Sequence, residues 1–458
     1  MLITNGTLVT LTEPNEIIAD GALLLRDGRI AALGHSRDLE AAYPREPRLD
    51  AQQQWLLPGN ICAHTHFYGA FARGMPLKGV PPQDFPQILA KLWWRLDKAL
   101  QPQDIYDSAL VCLVDAIRHG TTTLIDHHAS PNAVDGSLDM IAQAVQEAGL
   151  RACLCYEVSD RDGPQVAEAG LAENARFIQR TTLPQVRNLR EGTDALAGTF
   201  GLHASLTLSD ETLEKAASLA ASLGVGFHLH VAEDEADVRD ALRRSGMRTV
   251  KRLAEAGILG PQTIAAHCVH LDAEEVELLR GTGTYVVHNP RSNMNNAVGT
   301  ADVEGLLARG VAVGLGNDGF SNDMFSEMKA AYLVHKLARR DPQAMSALQV
   351  MRMAVHHNRR LAQMFFPQVD KDLGGLSPGQ LAVGACADII FLDYKPPTPV
   401  TPDNWPWHVV FGVDGGQATT TIVGGEVLMR DRELTRLDEE AIFARARELA
   451  GQLWRRLA

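Results

Sequence analysis

The stretch PGNICAHTHFYGAFARGM, residues 58–75, places His64 and His66 two positions apart after a short apolar run. Side chains alternate along a strand, so the two imidazoles share one face while Thr65 takes the other. Such a pair is either half of a metal grip or two ordinary polar residues at a strand end. What the other strand ends carry decides between them.

Downstream of this run, short apolar segments alternate with longer helical patterns to about residue 365. GNICAH, TTTLIDHH, RACLCYEV, FGLHAS, VGFHLHVAE, TIAAHCVH, TYVVHN and VAVGLGND read as strands. Amphipathic stretches lie between several of them. SDETLEKAASLAASLG and DAEEVELLRGTG each have a polar start and a glycine near the end. The alternation predicts the α/β class and a (β/α)8 barrel of the TIM type over residues 58–365. Residues 1–57 hold short alternating strands with a turn at Asp27-Gly28. Strands return in ADIIFLDY and QATTTIVGGEVLMRD, separated by the proline-rich loop KPPTPVTPDNWPW. Residues 1–57 and 366–437 are therefore expected to form one small β-sandwich domain. A last helix over 438–458 is expected to have its N-cap at Asp438 and to pack through Ile442, Ala446, Leu449, Leu453 and Leu457.

The chain has 458 residues, 45% of them hydrophobic, enough for a large domain and a smaller one. A formal net charge of −13 disfavours nucleic acid and anionic membranes as partners. No apolar run reaches the roughly 18 residues that span a bilayer. The first residues read as a strand and not as a secretory signal. The six cysteines form no CxxC pair and mostly sit in apolar runs, as in a reduced, cytoplasmic protein.

The ends of the proposed strands carry the chemistry. In order they bring His64 and His66, then Asp126, His127 and His128, then Glu157, then His203. After these come His228, His230 and Glu233, then His267, then His288 and Asn289, and finally Asp318. Barrels of this type build their active sites where the C-terminal strand ends meet. Several histidines and a carboxylate suit Zn²⁺, with Fe²⁺ or Mn²⁺ as other divalent occupants, and leave room for a water whose pKa the cation lowers. A nearby carboxylate must then shuttle protons, and Glu233 lies three residues beyond His230.

HTH after PGN, HLHVAED, AAHCVH, HNPRSNM and GNDG, in this order, resemble the metal-dependent amidohydrolase superfamily. The likeness is closest to its cytosine/guanine deaminase and triazine hydrolase branch. HTHFYGAFARGM and TTTLIDHHASP are similar to the aminohydrolases of the SsnA type, with some likeness to 8-oxoguanine deaminases. The resemblance covers essentially the whole chain, including GGLSPGQLAVGACADIIFLD after the barrel. It implies one divalent metal held by His64, His66, His230 and Asp318. It further implies Glu233 as the general acid/base, His267 as the residue that orients the attacking water, and Asp318 as the acceptor of that water's proton. Binuclear relatives bridge two metals with a carboxylated lysine from the fourth strand; here that strand offers His203, which favours one metal. In relatives this histidine often touches substrate. Arg73, His128, Asn289 and Asn293 are the other candidate contacts, with only one of His127 and His128 able to face the site. Trp93 and Trp94 read as packing before they read as a stacking platform.

The implied activity is hydrolytic deamination of a small amino-substituted nitrogen heterocycle, purine- or pyrimidine-like, by a homodimer or higher homo-oligomer. A triazine-type dechlorination or another C–N hydrolysis would use the same site. A non-catalytic scaffold is the reading from another class, and it is disfavoured because His64, His66, His230, His267, Asp318 and Glu233 are all retained.

Overall fold

The computed structural model describes residues 1–77, 79–182, 195–366 and 378–457. The expected segments at 367–377 and the final residue of the C-terminal helix lie outside these.

Strands from both ends of the chain join one nine-stranded sheet. Its centre pairs Trp55–Pro58 antiparallel with Ile389–Leu392, Leu57 opposite Ile390. Leu2–Val9, Ile17–Arg26 and Arg29–His35 extend it on one side, and Ala418–Val423 and Glu426–Arg430 on the other. Asp27 and Gly28, with φ of 49° and 73°, make the tight hairpin turn that the pair announces. Ile3, Leu23, Leu56, Phe391 and Ile422 fill the core behind this sheet.

Eight parallel segments build the barrel. The first four are Asn60–Thr65, Thr121–Asp126, Arg151–Leu154 and Leu196–Gly198 continuing as Phe200–Ala204. The others are Phe227–Val231, Ile264–His267, Tyr285–His288 and Val313–Leu315. The fourth is interrupted at Thr199, which divides the ladder into runs of four and five strands. Backbone bonds Val158 N to Gly201 O and His203 N to Val158 O carry the pairing across this break. The seam between the eighth and first strands is sealed differently. Asn358 donates from Nδ2 to Ile61 O and Leu315 O, each at 2.8 Å, and accepts from Leu315 N at 2.9 Å.

The helices begin and end where local chemistry says they should. Asp210–Leu223 starts at Ser209, whose side chain accepts from Thr212 N, and stops at left-handed Gly224. Ala273–Thr282 starts with a reciprocal Asp272–Glu275 capping box and stops at Gly283. The C-terminal helix, Glu439–Arg456, is capped by Asp438 and packs on Pro102–Arg118 through Ile442, Ala446 and Leu453. One expectation needs correction. The end of the proline-rich segment is a helix, Trp405–Gly412, because Pro406 suits a first turn and Trp405 is fully buried. Cys62, Cys112, Cys153, Cys155 and Cys268 are free and buried.

Candidate active site

The C-terminal ends of the strands bring six titratable side chains around one point. His64 Nε2 lies 2.9 Å from Asp318 Oδ1, and His66 Nε2 lies 3.1 Å from the same oxygen. His66 Nε2 and His230 Nε2 are 3.2 Å apart. His267 Nε2 sits 3.8 Å from Asp318 Oδ2 and 3.6 Å from Glu233 Oε2. Ligand atoms of His64, His230, His267 and Asp318 all fall within 4.8 Å of one another.

The backbone is bent to achieve this. His267 has φ of 73°, Asp318 of 54° and Ala232, beside Glu233, of 47°. Residues with a Cβ enter this region at a cost of order 1–3 kcal/mol, and here the turn aims each side chain inward.

Hydrogen bonds behind the rings settle which nitrogen faces the centre. His66 Nδ1 is 2.6 Å from His127 O, and His230 Nδ1 is 3.0 Å from His203 O. A carbonyl only accepts, so both Nδ1 atoms carry hydrogen and both Nε2 atoms present lone pairs. His64 Nδ1 meets His228 Nε2 at 2.7 Å, and His228 Nδ1 meets Cys155 Sγ at 3.7 Å. If each Nδ1 donates, His64 also turns a bare Nε2 inward. Three imidazole lone pairs and a carboxylate oxygen then crowd one point, an arrangement that repels itself unless a positive charge sits among them. The donor set fits a divalent cation, and the outer partners orient the ligands as such sites require. Burial opposes a charge on His66, but without a cation beside it Asp318 outweighs burial and lifts the His66 pKa to about 9.

Glu233 and Asp318 are driven apart electrostatically. Burial first, and the charge of Asp318 second, push the Glu233 carboxyl well above its ordinary range. Burial opposes ionisation of Asp318 too, but positive charge and donated hydrogen from the imidazoles around it, His267 first and then His64 and His66, hold its carboxyl well below the usual range, a role a cation bound by those nitrogens would take over. The Ser292 hydroxyl also donates to Asp318. One carboxyl therefore keeps its proton and its neighbour does not, which is the division of labour acid–base catalysis needs.

A cavity of about 680 Å³, counting its open mouth, rises from this cluster. Tyr68, Phe85, Trp93 and Trp94 line its upper wall, while Asp97, Glu157 and His203 line another part. Trp93 and Trp94 pack against the Phe85, Leu89 and Val298 cluster, as read, and line the cavity as well. A π-turn over Leu89–Trp93 shifts the helical phase just before them, which periodicity alone does not reveal.

The proposed substrate contacts separate into two groups. His203 lines the cavity, its Nδ1 held by Thr207 Oγ1. Arg73 is exposed and outside the lining. His128 is buried between Tyr68 and Tyr156 with Nε2 3.0 Å from Ser130 Oγ, also outside the lining. Its neighbour His127 turns inward, 4.8 Å from the His230 ring. Asn289 and Asn293 are buried beneath the cluster, with Asn289 Oδ1 and both side-chain heteroatoms of Asn293 lacking partners. Asp126 accepts from Phe67 N at 2.8 Å and so shapes the loop after the first strand. His228, behind His64, and Glu157 are the residues whose place the strand ends hinted at without assigning.

The Amidohydrolase family model matches residues 55–428, and residues 21–45 match a bacterial imidazolonepropionase-like composite domain. The chain belongs to the amidohydrolase family. As a member it is a hydrolase acting on non-peptide carbon–nitrogen bonds. This amidohydrolase is 32% identical over 462 residues to a 5-methylthioadenosine/S-adenosylhomocysteine deaminase of Pelotomaculum thermopropionicum, covering 99% of this chain and 98% of that one. It is also 32% identical over 460 residues to a 5′-deoxyadenosine deaminase of Methanosarcina mazei, with the same coverage. An adenosine deaminase from Xanthomonas campestris with bound zinc has the same fold, with a TM-score of 0.83 at 24% identity over 99% of this chain and 98% of that chain. Among the described residues, no helix is long and apolar enough to cross a membrane.

Proposed function

We propose that this amidohydrolase is a one-metal hydrolytic deaminase of an amino-purine or amino-pyrimidine, with His64, His66, His230 and Asp318 holding zinc in preference to iron or manganese. The observation that carries the reading is the crowding of three bare Nε2 atoms and Asp318 at the floor of an aromatic-walled cavity. Relatives named for adenosine derivatives make a 6-aminopurine nucleoside the first substrate to try. Catalysis is assigned to residues 58–365, with 1–57 and 366–437 as a composite support and 438–458 as a brace. Five free, buried cysteines suit a reducing cytoplasm, and a homo-oligomer is the default assembly.

The cation would supply Lewis acidity and make hydroxide available near neutral pH. The chain's own groups handle the protons. Asp318, ionised, takes the proton that water gives up as its oxygen bonds to the amino-bearing carbon. Glu233, protonated, gives its proton to the adjoining ring nitrogen, so charge does not build up on the ring. The carbon–nitrogen bond to the amino group then breaks. That nitrogen takes the proton held by Asp318 and leaves as ammonia, while the hydroxyl proton of the added oxygen passes to Glu233, so the ring keeps a carbonyl oxygen and both carboxyl groups return to their starting states. His267 stands between Asp318 and Glu233, and burial lowers its pKa, so it serves as a neutral hydrogen-bonding group.

The test is ammonia release from 5′-methylthioadenosine, 5′-deoxyadenosine, adenosine, guanine and cytosine, with metal content assayed on the same sample. Release that Glu233→Gln abolishes is the expected result. Silence from fully metallated protein, or chloride release from a chlorotriazine in its place, would overturn deamination.

A further inference from the structure

We infer that Glu157 is the specificity-determining residue of the cavity, accepting a hydrogen bond from an N–H or O–H donor of the heterocyclic substrate; the inference rests on the deaminase reading of this cavity. Glu157 follows the third strand, is 5% exposed and lines the cavity. Its two oxygens are placed differently. Oε2 accepts from His127 Nδ1 at 3.1 Å, and that imidazole is itself pinned, its Nε2 lying 3.0 Å from both Leu202 O and His228 O. Oε1 meets His203 Nε2 at 3.6 Å, too far for a hydrogen bond, and among the described residues no donor closes it.

The neighbouring wall repeats the pattern. Asp97 gives Oδ2 to Arg161, while its Oδ1 is buried without a partner. Trp94 Nε1 is likewise buried and unpartnered. Both residues line the same cavity. Buried polar atoms are almost always paired, so unmatched ones at a cavity wall mark where a ligand completes the pairing. The wall offers two acceptors and one donor. A matching substrate turns hydrogen-bond donors toward Glu157 and Asp97 and an acceptor toward Trp94. Two sources supply such donors: a ring edge bearing N–H beside the reacting carbon, or the hydroxyls of an attached sugar. Sites built to pair a donor reject analogues that lack it far more strongly than apolar pockets discriminate by size.

Glu157→Gln removes the charged acceptor from the wall. His127 Nε2 faces two carbonyls and so carries hydrogen, and Nδ1 donates as well while the Glu157 carboxylate holds the ring charged. Glutamine removes that charge, and whichever way its amide turns, the charge-assisted acceptor at the Oε1 position is gone. A donor-bearing ligand then loses its charge-assisted hydrogen bond, while a ligand without the donor loses nothing.

The experiment is calorimetric titration of zinc-loaded Glu233→Gln protein, which binds without turnover, with and without Glu157→Gln. Two ligand pairs are compared: guanine against 2-aminopurine for the ring N–H, and adenosine against 2′,3′-dideoxyadenosine for the sugar hydroxyls. In one pair the donor-bearing member should weaken about tenfold or more while its counterpart changes less than about twofold. The pair that responds names the source. Glu157→Asp, which keeps the charge and draws it back from the cavity, should give the same selective loss, with zinc content and thermal midpoint unchanged. Equal weakening of both members, or no change in any, overturns the inference alone. If none of the four binds the parent protein and the wild-type enzyme releases no ammonia from them, the deaminase reading falls and the inference falls with it.

Discussion

Replacing Gly316 with alanine tests how the eighth strand sets the metal centre. Gly316 follows Val313–Leu315 and precedes Asn317 and Asp318, whose amides donate to His64 O at 2.9 and 3.1 Å. A Cβ at 316 would lie 2.5 Å from Asn289 Oδ1, 2.8 Å from His64 O and 2.9 Å from His64 Cβ. The amide of Asn289 can swing aside. The His64 carbonyl cannot, because it is held from the same strand that carries the intruding methyl. The contact is about 0.6 Å short of ordinary packing, so the first and eighth strands must part by a comparable amount. That motion separates His64 Nε2 from Asp318 Oδ1, two groups proposed to share the cation. Overpacking of this kind costs about 1–3 kcal/mol of stability. Loss of ligand orientation typically costs about 10–100-fold in metal affinity. G316A should therefore melt a few degrees lower and lose zinc to a chelator at about a tenth or less of the concentration that strips the wild type. The assays are scanning fluorimetry and zinc retention after dialysis against graded chelator. A G316A protein that keeps its melting point, its zinc and its kcat would refute the reasoning.

Glu233→Gln should lower kcat by about 10²–10⁴-fold while zinc content stays unchanged. Because the Glu233 carboxyl is raised and its protonated form is the donor, kcat should hold at pH values where an ordinary glutamate is ionised and fall as pH rises through the raised value; a pH–rate profile that only climbs on the alkaline side contradicts this. His228→Phe fills the same space but removes the acceptor for His64 Nδ1, so zinc affinity should drop about 10–100-fold with folding intact, read by chelator competition. Among the described lining residues none is lysine or arginine, while Asp97, Glu157 and Asp234 are present, so a nucleoside should exceed its 5′-phosphate in kcat/KM by about 100-fold or more; parity between them would show a cationic subsite.

The barrel and the cluster were legible because both rest on strands. A strand has a period of two, and its last residues point at a predictable rim. His64, His66, His230, His267 and Asp318 could therefore be gathered from four separate runs and found together. What the sequence did not disclose depends on contacts between elements. That His228 turns to support His64 while His230 faces the cavity reflects His203 O and Cys155 lying behind them, and neither position is visible in spacing. His127 and His128 alternate, yet which faces inward was settled by Glu157 and Ser130. Arg73 sits on a loop, where no periodicity fixes direction, and it is at the surface. Trp93 and Trp94 were hidden by a local change of helical phase.

The loop segment that carries these tryptophans is held at both ends by the last helix. Trp454 Nε1 donates to Phe71 O at 2.9 Å, near the start of the segment. Arg456 Nε donates to Ala99 O at 3.0 Å, near its close, and Arg95 reaches Leu457 O. Arg445 and Arg118 tie the same helix to Asp107 and, through Glu439, to Pro102–Arg118. The aromatic wall is thus set by chain remote from the strands beneath it. Cation chemistry and ring selection consequently rest on different structural supports. Changes in the brace can re-aim Trp93 and Trp94 without touching the imidazoles, so one cluster can serve different rings. That independence is why motif order announces the reaction here while the identity of the ring has to be sought in the cap and in Glu157.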